Sequence, residues 1–247
     1  MKTILITGTN GNVGSFLADY YANNNYCLHL LYHKSSTRLE KLISEHKNVY
    51  AKQCDLTSLD CVQKACEELR KESNTSPQLI VHTASKRSTD FSDLENSDSE
   101  LWYEIIQSNL FSTYKLLKVN LPVLKEQDYG RIVLFGSNVS RIGLKKGTAY
   151  AVSKAGIANL SRSVAMELEE YNITINTISP GPIKIDDSHF SEEYREFRKT
   201  YYAKELEQIP KKRLAEGDDI LHICKFLTSD SNSYISGEEF FVTGGKL

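Results

Sequence analysis

The chain has 247 residues, 40% hydrophobic and 25% charged, which is enough apolar material for a sizeable core, and α/β folds of this length routinely form one domain. A formal net charge of −2 gives no global positive field to draw nucleic acid or an anionic membrane, so the bulk charge points to a small-molecule partner. The five cysteines (Cys27, Cys54, Cys61, Cys66 and Cys224) are odd in number and hold no CxxC pair, which excludes a disulfide framework and a zinc site; no metal is expected.

Short β-branched runs alternate with longer amphipathic stretches, the pattern of strand–helix units wound into a doubly wound parallel sheet with helices on both faces. The first strand is predicted at Thr3–Thr7, an apolar run too short for a signal-peptide core. No stretch approaches the ~18 apolar residues of a membrane span, so a cytoplasmic location is expected. The strand runs into Gly8-Thr9-Asn10-Gly11-Asn12-Val13-Gly14 and then a helix, Val13–Asn23. That is the context of a dinucleotide-binding turn: glycine lets the backbone approach a pyrophosphate, and the helix start offers free N–H groups and the positive end of its dipole.

A second strand, Leu28–Tyr32, leads into His33-Lys34-Ser35-Ser36. A NAD-selective site places an acid there, on the ribose hydroxyls. None occurs, and Lys34, Ser35 and Arg38 are candidates for the 2′-phosphate of NADP(H), with NAD(H) as the alternative cofactor. The third strand, Val49–Gln53, ends at Cys54-Asp55-Leu56, where Asp55 either accepts a hydrogen bond from adenine or caps the next helix, Ser58–Lys71. A fourth strand, Leu79–Thr83, is followed by a long helical pattern, Glu100–Lys125.

The fifth strand, Arg131–Phe135, places Ser137 beyond its carboxyl end, where a hydroxyl can hydrogen-bond a substrate carbonyl. Tyr150 and Lys154 follow at the start of the helix Ala149–Glu169, four residues apart and so on one face. A nearby cation lowers a phenol from its ordinary pKa near ~10, which makes it a better general acid for a carbonyl oxygen and a base for the reverse oxidation. Arg141, Lys145 and Lys146, between Ser137 and Tyr150, are candidates for an anionic substrate. After a sixth strand, Thr174–Ser179, the charged, Tyr-rich segment 186–209 interrupts the passage to the helix Asp218–Leu227 and the last strand, Glu239–Val242. An insertion beyond the carboxyl edge of the sheet lies over the ligand crevice, and it is expected to be a substrate lid.

These motifs together resemble the short-chain dehydrogenase/reductase family, in its compact single-domain branch, over essentially the whole chain. Tyr150 and Lys154 match its YxxxK, Ser137 its catalytic serine, and Asn109, in Gln107-Ser-Asn-Leu-Phe, its helix asparagine. Asn176-Thr-Ile-Ser-Pro180-Gly181-Pro-Ile183 matches its NxxxPGxI. The stretches Ile209–Asp218 and Tyr234–Gly245 are similar to the C-terminal region of 3-oxoacyl-carrier-protein reductases. The resemblance implies a Rossmann fold of about seven strands spanning residues 1–247 as one domain. It implies a tetrad in which Tyr150 supplies the proton, Lys154 also holds the nicotinamide ribose and Asn109 orders a relay water. It further implies a cofactor site of Gly8, Asn10, Gly11, Asn12, Val13, Gly14, His33, Lys34, Ser35, Asp55, Leu56, Ala84, Ser85, Tyr150, Lys154, Pro180, Gly181 and Ile183. The expected substrate is a carbonyl/alcohol pair, anionic or carrier-linked among the options, and the resemblance implies a homodimer or homotetramer formed through the two long helices.

Two positions depart from the family. Asn12 stands where the compact branch has the middle glycine of its turn, and His82-Thr83-Ala84-Ser85 replaces NNAG, with His82 expected to be structural. These departures motivate two alternatives: a non-catalytic NADP(H)-binding sensor or scaffold, and a nucleotide-sugar epimerase.

Overall fold

A computed structural model describes residues 1–87, 91–184 and 191–246, and the side chains of all of these but Tyr194 and Phe197. Seven strands form one wholly parallel sheet in the order β3-β2-β1-β4-β5-β6-β7. They are β1 (Thr3–Thr7), β2 (Cys27–Tyr32), β3 (Val49–Gln53), β4 (Leu79–His82), β5 (Gly130–Phe135), β6 (Ile173–Pro180) and β7 (Glu239–Val242). Each lies within one residue of the predicted bounds. The apolar runs of β1, β4 and β5 are buried along their whole length because both faces of the sheet are covered.

Strand periodicity divides the core. Ile4, Ile6, Leu79, Val81, Val133 and Phe135 pack on one face with residues of α1 (Asn12–Ala22), α2 (Thr37–Glu45) and α9 (Gly217–Leu227). Their neighbours Leu5, Ile80, Ile132 and Leu134 pack on the other, with residues of α3 (Leu59–Ser73), α5 (Ser112–Glu126) and α7 (Thr148–Glu167). No helix is predicted at Thr37–Glu45 from the sequence. The segment is a helix capped by Ser36, whose hydroxyl accepts from Leu39 N, and it buries only Leu39 and Leu42.

The predicted helix Glu100–Lys125 is in fact three pieces. An α-helical stretch, α4 (Ser99–Ile106), opens into a wide π turn at Gln107–Phe111 before α5 resumes. The hydroxyls of Thr113 and Ser112 donate to the Asn109 carbonyl there, at 2.6 and 3.2 Å. Four-residue α6 (Val139–Ile142) follows β5, and α8 (Glu192–Gln208) forms most of the segment expected to be a lid, whose residues 186–190 lie outside the described ones. Among the described residues no helix is long and apolar enough to cross a membrane.

The strand order reverses between β1 and β4. In a parallel α/β sheet the crevice beyond the carboxyl ends of strands at such a switch point is where ligands bind.

Candidate active site

The crevice consists of two cavities that meet at Gly11, Thr83 and Ser85. One, of about 570 Å³, extends over the ends of β1, β2 and β3 and is lined by Gly8, Asn10, Gly11, His33, Lys34, Asp55, Leu56, Ala84 and Ser85. The other, of about 250 Å³, is lined by Asn12, Val13, Gly14, Ser137, Tyr150, Lys154, Pro180, Gly181 and Ile183. Of the residues expected at the cofactor, Ser35 and Arg38 line neither; the Ser35 hydroxyl donates to Glu40 at 2.8 Å.

The glycine turn leaves no room for side chains. Gly8 sits at φ +74°, and a Cβ there would stand 2.5 Å from the backbone nitrogen of Ala84. A Cβ on Gly14 would meet the Gly8 carbonyl and the Thr83 hydroxyl. Helix α1 then begins with no side-chain cap and no acid in its first turn, so its leading N–H groups face the crevice uncompensated. Unpaired donors, a positive dipole end and a bare backbone cradle are what a pyrophosphate requires, and the residues present fit a dinucleotide.

The replaced NNAG segment supplies the support across the switch point in another way. Thr83 Oγ1 donates to the Thr7 carbonyl at 2.7 Å, and His82 Nδ1 hydrogen-bonds the Thr7 hydroxyl at 2.7 Å. Burial holds the His82 imidazolium pKa down at about 3, with Lys154 adding to the effect, so the ring is neutral. At the far end of the crevice Asp55 is exposed and accepts from the backbone and hydroxyl of Thr57, which hold its carboxyl below the usual range. Asp55 therefore does not cap α3; Ser58 does, accepting from Cys61 N at 3.3 Å. Arg38, read as a phosphate candidate, pairs with Asp19 on α1.

At the reaction end the elements fix each side chain. Backbone pairing of β5 with β6 continues past the strand, Gly136 N to Ile178 O at 2.9 Å and Asn138 N to Pro180 O at 3.0 Å, and Ser137 is pinned between them. Its hydroxyl donates to Asn138 Oδ1 at 3.3 Å, and together with that of Ser85 it favours the ionised form of the half-buried phenol of Tyr150. One helical turn on, Lys154 is 2% exposed and donates to the Phe135 carbonyl at 2.8 Å, and burial lowers its ammonium pKa to about 7.

The sequence assigned Lys154 the part of acidifying the phenol. Burial instead raises the Tyr150 pKa, and the cation that opposes this is Arg87, aided by Ser137 and Ser85. Lys154 lies 5.6 Å from the ring centroid and is itself short of charge.

Asn109 is fully buried, and its amide ties three segments together. Nδ2 donates to Lys86 O and Ser153 Oγ, both at 3.0 Å, while Oδ1 accepts from Lys86 N at 2.7 Å and Ser85 Oγ at 3.4 Å. Both amide hydrogens are used, so this side chain clamps the segment that follows β4 against α7.

Sequence reading missed Arg87, Thr83 and Tyr202 at this end. Tyr202 comes from α8, within the expected lid, lines the smaller cavity and donates to the Ile183 carbonyl at 3.3 Å. No motif marks any of the three. Arg141, Lys145 and Lys146, candidates either for an anionic substrate or for solvated loop charges, line neither cavity: Arg141 stacks on Phe241 and Lys146 pairs with Asp93 at 3.8 Å.

Comparison with known proteins agrees with this geometry. Residues 9–246 match the family described as enoyl-(acyl carrier protein) reductase. The 3-oxoacyl-[acyl-carrier-protein] reductase FabG of Escherichia coli K12 is 29% identical, with 99% of this chain and 96% of the relative aligned. MabA of Mycobacterium tuberculosis H37Rv, of the same description, is 26% identical over 99% of this chain and 92% of its own. A crystal structure assigned as a gluconate dehydrogenase from Agrobacterium tumefaciens superposes with a TM-score of 0.87 at 24% identity, covering 99% of this chain and 95% of that one, a likeness of fold alone. With nearly every residue inside one family profile and its relatives aligned end to end, this chain belongs to the short-chain dehydrogenase/reductase family, oxidoreductases of carbonyl and CH–OH groups.

Proposed function

We propose that the chain is an NADP(H)-dependent carbonyl reductase in which Tyr150 is the general acid, running in reverse as an alcohol dehydrogenase. The observation that carries this is the smaller cavity, where Ser137, Tyr150 and Lys154 converge beside the glycine turn and Pro180-Gly181. Gly8, Gly11 and Gly14 with the start of α1 hold the pyrophosphate, Lys34 the 2′-phosphate, Asp55 and Leu56 the adenine, and Pro180, Gly181 and Ile183 border the nicotinamide. The bound nicotinamide, when reduced, supplies a hydride to the carbonyl carbon.

As the carbonyl π pair moves onto oxygen, Ser137 donates a hydrogen bond to it and Tyr150 donates its proton, leaving a phenolate. Because burial keeps the phenol protonated, the resting protein is poised to give a proton to a carbonyl. Lys154, whose pKa is near neutrality, returns a proton toward Tyr150 and holds the nicotinamide ribose. Asn109 acts as a positioning residue, fixing Ser85 and the start of α7. Helix α8 covers the substrate as a lid. Exposed Tyr103, Phe111, Tyr114 and Val152 on α4, the π turn, α5 and α7 form the face through which copies of the chain assemble, and five free cysteines suit a reducing cytoplasm.

The test is NADPH oxidation against a panel of small ketones and oxo acids. Tyr150→Phe is expected to lower kcat by about 10²- to 10⁴-fold while NADPH binding, followed by calorimetry, persists. Unchanged turnover in the variant would overturn the mechanism.

A further inference from the structure

Two backbone segments wall the smaller cavity, the reaction chamber: Gly136-Ser137 past β5 and Pro180-Gly181 at the end of β6. Both are fastened to one carboxylate on the edge strand. Glu239 opens β7, its side chain is 9% exposed, and its Oε1 accepts from the hydroxyls of Ser140 and Ser179, each at 2.6 Å. That is the spacing of a hydroxyl donating to a carboxylate, a bond roughly twice as strong as one between neutral groups. Arg162 of α7, half exposed, pairs with the other oxygen at 3.1 Å.

Each link leads straight to a wall of the chamber. Ser179 is fully buried and immediately precedes Pro180, while the Ser140 N–H donates to the Ser137 carbonyl at 3.0 Å. A Cβ on Gly136 would stand 2.2 Å from Ser179 Oγ, so glycine there leaves the space that this hydroxyl occupies. The backbone ladder between the walls ends at Asn138, whose φ and ψ of −56° and −23° are already helical. Beyond that point the carboxylate is the connection between Ser140 and Ser179.

We propose that Glu239 is a positioning residue for hydride transfer: through Ser140 and Ser179 it fixes the Pro180-Gly181 wall against Ser137, and so the seat of the nicotinamide ring. This rests on the reductase reading above and adds to it a residue outside the lining of either cavity. A ring on a loosened wall binds less tightly and presents its hydride poorly, since a misplacement of about 1 Å costs on the order of a hundredfold in rate.

The test compares a dinucleotide with the same molecule lacking its nicotinamide. NADPH and 2′-phospho-ADP-ribose, or NADH and ADP-ribose if that cofactor binds more tightly, are titrated calorimetrically. Glu239→Ala is expected to weaken the dinucleotide about tenfold while the fragment, held by the glycine turn, binds as before. Glu239→Gln, whose amide oxygen still accepts from both serines, keeps most of the wild-type ratio. Ser179→Ala lowers the ratio in the wild-type background and adds nothing in Glu239→Ala, as expected of two members of one link; should Glu239→Ala fail to fold, Ser179→Ala and Ser140→Ala carry the same comparison. Arg162→Ala, which removes only the exposed ion pair, leaves the ratio unchanged. With any ketone that the wild type reduces, Glu239→Ala lowers kcat about 10- to 100-fold and moves the ketone's KM less than about threefold. An unchanged ratio in Glu239→Ala, equal weakening of dinucleotide and fragment, a Glu239→Gln variant as impaired as Glu239→Ala, or additive effects at Glu239 and Ser179 would each overturn the proposal. Wild-type protein that binds the dinucleotide but reduces no ketone would sink the reductase reading alone, and the ratio would still decide this assignment.

Discussion

At the β2–β3 end of the crevice, Lys34 and Asp55 are exposed, and Asp55 is bonded within its own loop; at the β4–β5 end, Asn109 and Lys154 are buried on helical elements and bonded across to neighbouring segments, and Ser137 is buried just past β5. The first end recognises through backbone: an uncapped helix, two glycines with no room for a Cβ, and loop groups reaching from solvent. The second presents a network of side chains carried by α7, the π turn and the segments just past β4 and β5. A backbone cradle tolerates most side-chain changes and fails only where a Cβ appears. A buried network fails when any member is removed, because desolvated partners are left unpaired.

Placing a single carbon in the cradle is the sharpest way to break this contrast. Gly8→Ala is expected to destabilise the free protein by about 2–4 kcal/mol, the sum of a left-handed alanine and the clash with Ala84. It should also remove measurable cofactor binding. Chemical denaturation and calorimetry read the two effects, and a variant that kept both wild-type stability and affinity would show that the turn is not the tight cradle described.

The halves of the crevice also differ in how far the sequence reveals them. All seven strands and the glycine turn were legible, because a central strand buried on both faces must be an apolar run, the partly buried edge strands β3 and β7 keep short apolar runs bounded by polar residues, and a tight turn must be glycine. The positions of Ser137, Tyr150 and Lys154 followed from the same alternation of strand and helix. Asn109 was named as a site residue, but its setting was not visible: the π turn that carries it interrupts a helical pattern without disturbing its apolar periodicity. Helix α2 was missed although Leu39, Leu42 and Ile43 stand at i, i+3 and i+4, because its pattern spans only nine residues. Arg87 and Tyr202 reach the chamber only through tertiary packing, and a loop rich in Arg and Lys next to Tyr150 in sequence drew attention to charges that the fold directs elsewhere.

A smaller effect probes the buried side through pH. His82 is 1% exposed, and its folded-state pKa is about 3 against an ordinary 6.5. Between those values the unfolded chain binds a proton that the folded chain refuses, so stability rises with pH across the window and is lost as pH falls from 6.5 toward 3. On acidification from neutrality to about pH 5 the loss attributable to this ring is about 2 kcal/mol. His82→Asn, with no titrating ring, is expected to flatten that part of the profile, measured by denaturation at several pH values. A slope identical to wild type would mean that the ring takes up its proton within the fold.

The smallest expected effect tests the exposed end. Lys34 lines the larger cavity, makes no ion pair among the described residues, and stands where an acid would select NAD(H). Lys34→Glu should weaken NADPH binding about tenfold, or ~1.4 kcal/mol, because solvent and salt screen a contact made at the surface. NADH, which lacks the extra phosphate, should bind as well as before or better, since a carboxylate can now accept from the free ribose hydroxyl. Raising the salt concentration should shrink the NADPH difference between wild type and variant, whereas the effect of Gly8→Ala, which is steric, should not change. A salt-independent loss at Lys34 would place that residue in the same class as the cradle and erase the distinction between the two ends.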